Sequence, residues 1–292
     1  MKKSLLLMMA VTMILAASGC HNRNEEQGDG PSDAAQTIQQ TDLHPVCSSP
    51  LEKTVALRDK GRKKRESRDV QDHGDETGEP LIELKSTGRL SYYLYTPSQP
   101  TEGMTLIIYL HGSSMRLAQT ELLLTNEAFP LYLQRGDFAD LPAYVAIPKL
   151  TEDYQDWSAA AEEISELIAI LHHDCAIDTR RVALTGHSLG GSGCWQLAIR
   201  LPGTFACIAP LSGGVASSEN NLAALARTRV WSFIVTADSV IDPDMSRQLV
   251  DALKKMGADA RITELPEAGH RDLPLLAYRQ SDLMTWLLRC GQ

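Results

Sequence analysis

The sequence predicts an α/β fold: a mostly parallel central sheet with helices on both faces. Two observations carry this. Short apolar, β-branched runs alternate with longer stretches of helical periodicity. The chemistry-bearing residues then follow the carboxyl ends of those runs, where open α/β sheets build their sites.

Element by element, residues 81–86 and 89–95 read as an antiparallel hairpin turning at Thr87 and Gly88. Residues 104–110 are the most strand-like run, 117–134 read as helix, 144–148 as strand and 158–173 as an amphipathic helix. A strand over 181–185 runs into Gly186, and a helix follows over 192–200. Strands at 205–211 and 231–237 come next, then a helix over 245–256 closed by Gly257, a strand over 261–265 and a last helix over 280–289. Only a short polar and alanine-rich connection separates Leu211 from Val230, so no large cap domain is expected and the site should be open.

Gly186-His187-Ser188-Leu189-Gly190-Gly191 sits between strand and helix. Small residues two before and two after a serine let the chain turn sharply enough to hold Oγ above the sheet on a strained backbone. The partners of such a serine follow in the order acid, then histidine. Asp238 ends the apolar run from Trp231, and His270 sits after Gly269 in the loop before the last helix. A serine hydroxyl is a poor nucleophile near neutral pH, so His270 must take its proton and return it to the leaving group. Asp238 would accept the hydrogen bond of the other ring nitrogen and fix the tautomer. Asp242 and Asp244 are the competing acids; their alternative reading is a turn that caps the next helix, and Asp238 is preferred as the first acid after the strand.

An oxyanion hole requires free N–H groups nearby. The strand over 104–110 delivers His111-Gly112-Ser113-Ser114, so the backbone N–H of Ser113, together with that of Leu189 behind the nucleophile, is the expected pair. His111 and His187 read as bracing and packing side chains. Trp157 reads equally as a wall of the substrate pocket or as a packing residue at a helix start. His172, His173, Asp174 and Cys175 carry metal-ligand types, but adjacent helical positions diverge, so a helix end is the reading and no metal or cofactor is expected.

These residues together resemble the α/β-hydrolase superfamily. More narrowly, residues 81–292 look like the serine esterases grouped with polyhydroxybutyrate depolymerases, feruloyl esterases and dienelactone-hydrolase-like proteins. The resemblance implies an α/β-hydrolase fold and a carboxylesterase acting on a small-molecule or polymer-borne ester. The chain departs from that group at Ser113-Ser114, where glycines are common, and at Val235, where a glycine often precedes the acid. Two other readings stand beside it: a serine peptidase related to prolyl oligopeptidases, and an inactive hydrolase fold used as a surface binding module.

Residues 1–19 read as a signal peptide, with Lys2 and Lys3 ahead of an apolar segment too short for a membrane span. Ala17-Ser18-Gly19-Cys20 resembles a bacterial lipobox, making Cys20 the lipidated first residue of an exported protein anchored to a membrane; an ordinary secretory signal is the alternative. Residues 20–80 are polar and aperiodic and read as a flexible tether, and the basic run Lys60 to Arg65 within them is followed at once by acidic residues. With a net charge of -9 the 292-residue chain offers nothing to nucleic acid. Export puts Cys47, Cys175, Cys194, Cys207 and Cys290 in an oxidising setting, with Cys194 and Cys207 read as small buried hydrophobes.

Overall fold

Leu106, Ile108 and Leu110 point into one apolar cluster while Ile107 and Tyr109, alternating with them on the same strand, point into another. That strand is therefore buried on both faces, and it lies at the middle of the sheet. The structure is a computed structural model that describes residues 80–216 and 222–292. The expected signal peptide, Cys20, Cys47 and the tether as far as residue 79 lie outside the described residues.

Eight strands form one sheet: β1 (Leu81–Ser86), β2 (Ser91–Thr96), β3 (Thr105–Leu110), β4 (Ala143–Pro148), β5 (Val182–His187), β6 (Cys207–Leu211), β7 (Arg229–Val235) and β8 (Ala260–Leu265). Their spatial order is β1-β2-β4-β3-β5-β6-β7-β8. The opening hairpin is antiparallel, with Gly88 at φ 95° in its turn, and β2 joins β4 antiparallel; every later pairing is parallel. One face is covered by α3 (Ala161–Cys175), α4 (Leu189–Arg200) and α5 (Pro243–Lys255), through residues such as Ile164, Trp195 and Leu249. The other is covered by α2 (Ala128–Gln134), α6 (Leu273–Gln280) and α7 (Leu283–Leu288), through Phe129, Leu273 and Leu287.

Two expectations need correction. The single helix over 117–134 is instead a 3₁₀ turn followed by α1 (Leu123–Asn126) and α2, separated by Glu127 in an extended conformation (φ -100°, ψ 131°). Pro130 explains the break: it lacks an N–H, so it suits only the first turn of a new helix. The terminal helix expected over 280–289 is α7 alone, beginning only at Leu283 because Ser281 is extended at φ -122°, and a separate helix that the sequence did not suggest, α6, precedes it with Pro274 in its first turn. Cys194 and Cys207 are fully buried, as a hydrophobic reading of them requires.

Candidate active site

Ser188 occupies the turn between β5 and α4 at φ 59°, ψ -117°, a conformation that a non-glycine residue adopts only under strain. Gly186 and Gly190 make the turn sterically feasible. A Cβ on Gly190 would stand 1.9 Å from the Leu110 carbonyl oxygen, and one on Gly186 2.5 Å from the same atom. The Ser188 N–H donates to Leu211 O at 2.9 Å, tying the turn to the end of β6.

Asp238 follows β7, and its side chain is 1% exposed. Oδ1 accepts the N–H of Val240 at 2.8 Å and of Ile241 at 3.1 Å, while Oδ2 meets Nδ1 of His270 at 2.7 Å. Burial by itself would push this carboxyl up, yet the hydrogen bonds from His270 and from the two amides hold it below its ordinary value. An ionised carboxylate only accepts, so Nδ1 carries the proton and Nε2 is the nitrogen left for the cavity. The loop carrying His270 is held by Asp272, whose carboxylate accepts the Gly269 N–H at 3.1 Å. The His187 ring lies against that of His270, tilted by 42° with centroids 4.5 Å apart, and burial, together with repulsion from His270, lowers its pKa to about 4.

Ser188 and His270 line one cavity of about 470 Å³, together with Ser113, Glu127, Val240 and Arg271. Ser113 opens a 3₁₀ turn and Leu189 opens α4, so both N–H groups belong to first-turn donors with no intrahelical acceptor. The positive end of the α4 dipole adds to the same corner. Asp242 and Asp244 are elsewhere: the Asp242 side chain accepts the Asp244 N–H at 2.9 Å and caps α5.

Trp157 does not line the cavity. It is fully buried, its indole N–H donates to His111 O at 3.2 Å, and its ring meets the His111 ring edge-on at 4.9 Å. The 3₁₀ turn that precedes α3 aims it beneath the loop rather than into the opening. His111 braces the same loop: Nε2 accepts the Leu150 N–H at 3.0 Å, so Nδ1 donates to Gly112 O at 2.8 Å. Burial holds its pKa down at about 4, keeping the ring neutral. His172 lies in the last turn of α3 with Nδ1 2.7 Å from Ile177 O.

Glu127 is the wall residue that sequence reasoning missed. Nearly buried, it accepts the Tyr109 hydroxyl at 2.6 Å and the Gly112 N–H at 3.3 Å, so it fixes the loop that presents Ser113. Burial raises its pKa against the opposing effect of those bonds. Pro130, three residues on, is the signal that this position leaves the helix.

The sheet order, the helices on both faces and the strained serine turn define an α/β-hydrolase fold. Residues 131–271 match the dienelactone hydrolase family, a span that includes Ser188, Asp238 and His270. No curated protein matches the sequence. Among solved structures, a thermostable esterase aligns with TM-score 0.60 at 22% identity, covering 72% of this chain and 62% of the other, so this chain spans under two thirds of that protein. A mutant of the feruloyl esterase module from Clostridium thermocellum, complexed with sinapinate, aligns with TM-score 0.56 at 14% identity over 76% of this chain and 94% of the other. The Staphylococcus aureus fluorophosphonate-binding serine hydrolase F, substrate bound, aligns with TM-score 0.54 at 13% identity over 72% and 98%.

Proposed function

We propose that this protein is a serine carboxylesterase that works through an acyl-Ser188 intermediate, with His270 as general base and acid and Asp238 as its orienting partner. The observation that carries the reading is the 2.7 Å bond between His270 and Asp238 at the wall of the cavity that Ser188 also lines. Ser188 Oγ attacks the ester carbonyl carbon as Nε2 of His270 takes its proton. The carbonyl oxygen becomes an alkoxide held by the N–H groups of Ser113 and Leu189, one such donor being worth about 3 kcal/mol. Collapse expels the alcohol, protonated by His270; water then attacks the acyl-serine by the same route in reverse and releases the acid. Ester-cleaving proteins among the structural neighbours, and the matched family, favour an ester over an amide.

The test is labelling of the full chain by a fluorophosphonate, with turnover of a panel of aryl esters, sugar esters and peptide amides. Ser188→Ala should lose labelling and about 10⁶ in kcat while folding normally. A folded variant that keeps a tenth of the activity sinks the mechanism, preference for amides favours a peptidase, and a wild type without labelling or turnover favours a binding module.

For location the reading is export with lipid on Cys20, the catalytic unit being held on a tether; the support is the sequence pattern at Ala17 to Cys20. The protein should then partition into detergent from a bacterial membrane fraction, and Cys20→Ser should prevent it. Mature wild type found wholly in the soluble fraction refutes the anchor.

A further inference from the structure

β6 ends in Leu211, and the next residues are Ser212, Gly213 and Gly214. Leu211 O accepts the Ser188 N–H at 2.9 Å, and the Ser212 N–H donates to Phe233 O of β7 at 2.9 Å. Ser212 thus lies between the strand end that carries the serine and the one that leads to Asp238. Its backbone has φ 40°, in the left-handed region where glycine costs nothing, yet the chain places a serine here and glycines only afterwards.

The side chain adds a second cost. Ser212 is 2% exposed, and its hydroxyl makes no hydrogen bond of good geometry among the described residues. A strained backbone and a buried unpaired hydroxyl at one position are both unfavourable, and each persists only where the surroundings hold it. The Asp238 carboxylate follows β7, the strand to which the Ser212 N–H is bonded, and could supply the acceptor that such a donor lacks. An ionised carboxylate offers about four lone-pair sites. Asp238 fills three, with Val240, Ile241 and His270, and has one left. Ser212 helps to hold this carboxyl below its ordinary value, after His270 and the two amides, although no hydrogen bond of ordinary length joins the two side chains.

We propose that Ser212 is a positioning residue whose hydroxyl donates the fourth hydrogen bond to Asp238, holding the carboxylate square to His270 as the site engages its substrate. Hydrogen bonds within a catalytic site commonly tighten when substrate is engaged. The proposal rests on the reading of Ser188, His270 and Asp238 as a triad. Its strain is the cost of putting a hydroxyl, which glycine lacks, beside a buried acid.

The sign of the effect separates this role from a structural one. The donated proton draws charge from the carboxylate, so removing it leaves Asp238 a stronger partner for the imidazolium and makes His270 easier to protonate. A merely loosened site would weaken the pair and make His270 harder to protonate. The other groups facing His270 are His187 from β5, Glu127 and Arg271 on the cavity wall, and Asp272 in its own loop.

The experiment uses the full chain and compares wild type, Ser188→Ala and Ser212→Gly. It follows His270 by NMR titration of its ring proton, kcat and KM on a soluble aryl ester, and Tm. Ser212→Gly should melt at or above the wild-type Tm, lose about tenfold in kcat with KM nearly unchanged, and titrate His270 about half a pH unit higher. The acid limb of kcat/KM should move up with it. An unmoved or lower His270 titration overturns the proposal, as does full activity in the glycine variant. Ser212→Ala, which keeps the Cβ, carries the same readouts if the glycine variant does not fold. The titration needs no turnover, so Ser188→Ala that still hydrolyses ester defeats the triad reading separately from the fate of Ser212.

Discussion

Asp238 holds Nδ1 of His270 at 2.7 Å from a position with only 1% of its side chain exposed, while His270 faces the cavity. The acid is therefore shielded from water and presents one oxygen to the imidazole. If His270 is the general base, Asp238→Asn should leave KM nearly unchanged and lower kcat by about 10⁴, because the amide stabilises the wrong tautomer. Steady-state kinetics on an aryl ester check this, and a loss below tenfold would remove Asp238 from the mechanism.

Asp242, the competing acid, has a different task. Its side chain accepts the Asp244 N–H at 2.9 Å at the start of α5. Asp242→Ala should cost about 1 kcal/mol of stability, the usual worth of an N-cap, and leave kcat/KM within twofold. Urea melts and kinetics on one sample test both halves.

Gly190 meets the β3 carbonyl of Leu110 so closely that any side chain must displace backbone. Gly190→Ala should therefore lower activity on every ester and destabilise the fold by several kcal/mol, about what overpacking against a rigid partner costs. A variant of wild-type Tm and activity would mean that the turn is looser than the contact implies.

The sheet and the order of serine, acid and histidine are legible in the sequence because they rest on local signals. Apolar runs such as 104–110 and 231–235 read as strands wherever they sit, and the glycines around Ser188 state the turn directly. What is hidden depends on tertiary neighbours. The side on which Trp157 lies is decided by His111 and Gly193, far away in sequence, and periodicity at a helix start does not reveal it. Glu127 looks like one more exposed helical acid until Tyr109 and Gly112 are brought to it. Ser212 follows an ordinary apolar strand, and its burial between the ends of β5 and β7 follows from the sheet order.

Because Glu127 fixes the loop through two buried donors, its removal should act on both stability and rate. Glu127→Ala leaves the Tyr109 hydroxyl and the Gly112 N–H without an acceptor, at about 2–4 kcal/mol. The displaced Ser113 N–H should lower kcat more than it raises KM, as loss of an interaction made only in the transition state does. Glu127→Gln keeps one acceptor and should fall between. Equal kcat in wild type and Glu127→Ala would separate this side chain from the oxyanion loop.

The two buried histidines set an acid limit on stability. His111 and His187 both have folded pKa values of about 4 against an ordinary 6.5, because burial disfavours their charged forms. Between those pH values the unfolded chain binds protons that the folded one refuses, so stability is full above about pH 6.5 and falls as the pH drops toward 4. Each ring can contribute up to about 1.4 kcal/mol per pH unit across that window, or about 3 kcal/mol in all. Asp238 acts lower, since its depressed carboxyl loses its contribution only as the pH falls below the usual carboxylate range. Glu127, raised by burial, works in the opposite sense near the bottom of the window. His111→Gln isolates one proton, because its Oε1 can replace Nε2 as acceptor for the Leu150 N–H without titrating. Urea unfolding at pH 7 and pH 4.5 should show a gap in stability smaller by about 2–3 kcal/mol in the variant than in wild type. Identical gaps would mean that His111 takes up its proton in the folded protein as readily as in the unfolded chain, and its neutral bracing of the loop would fail as an account of that side chain.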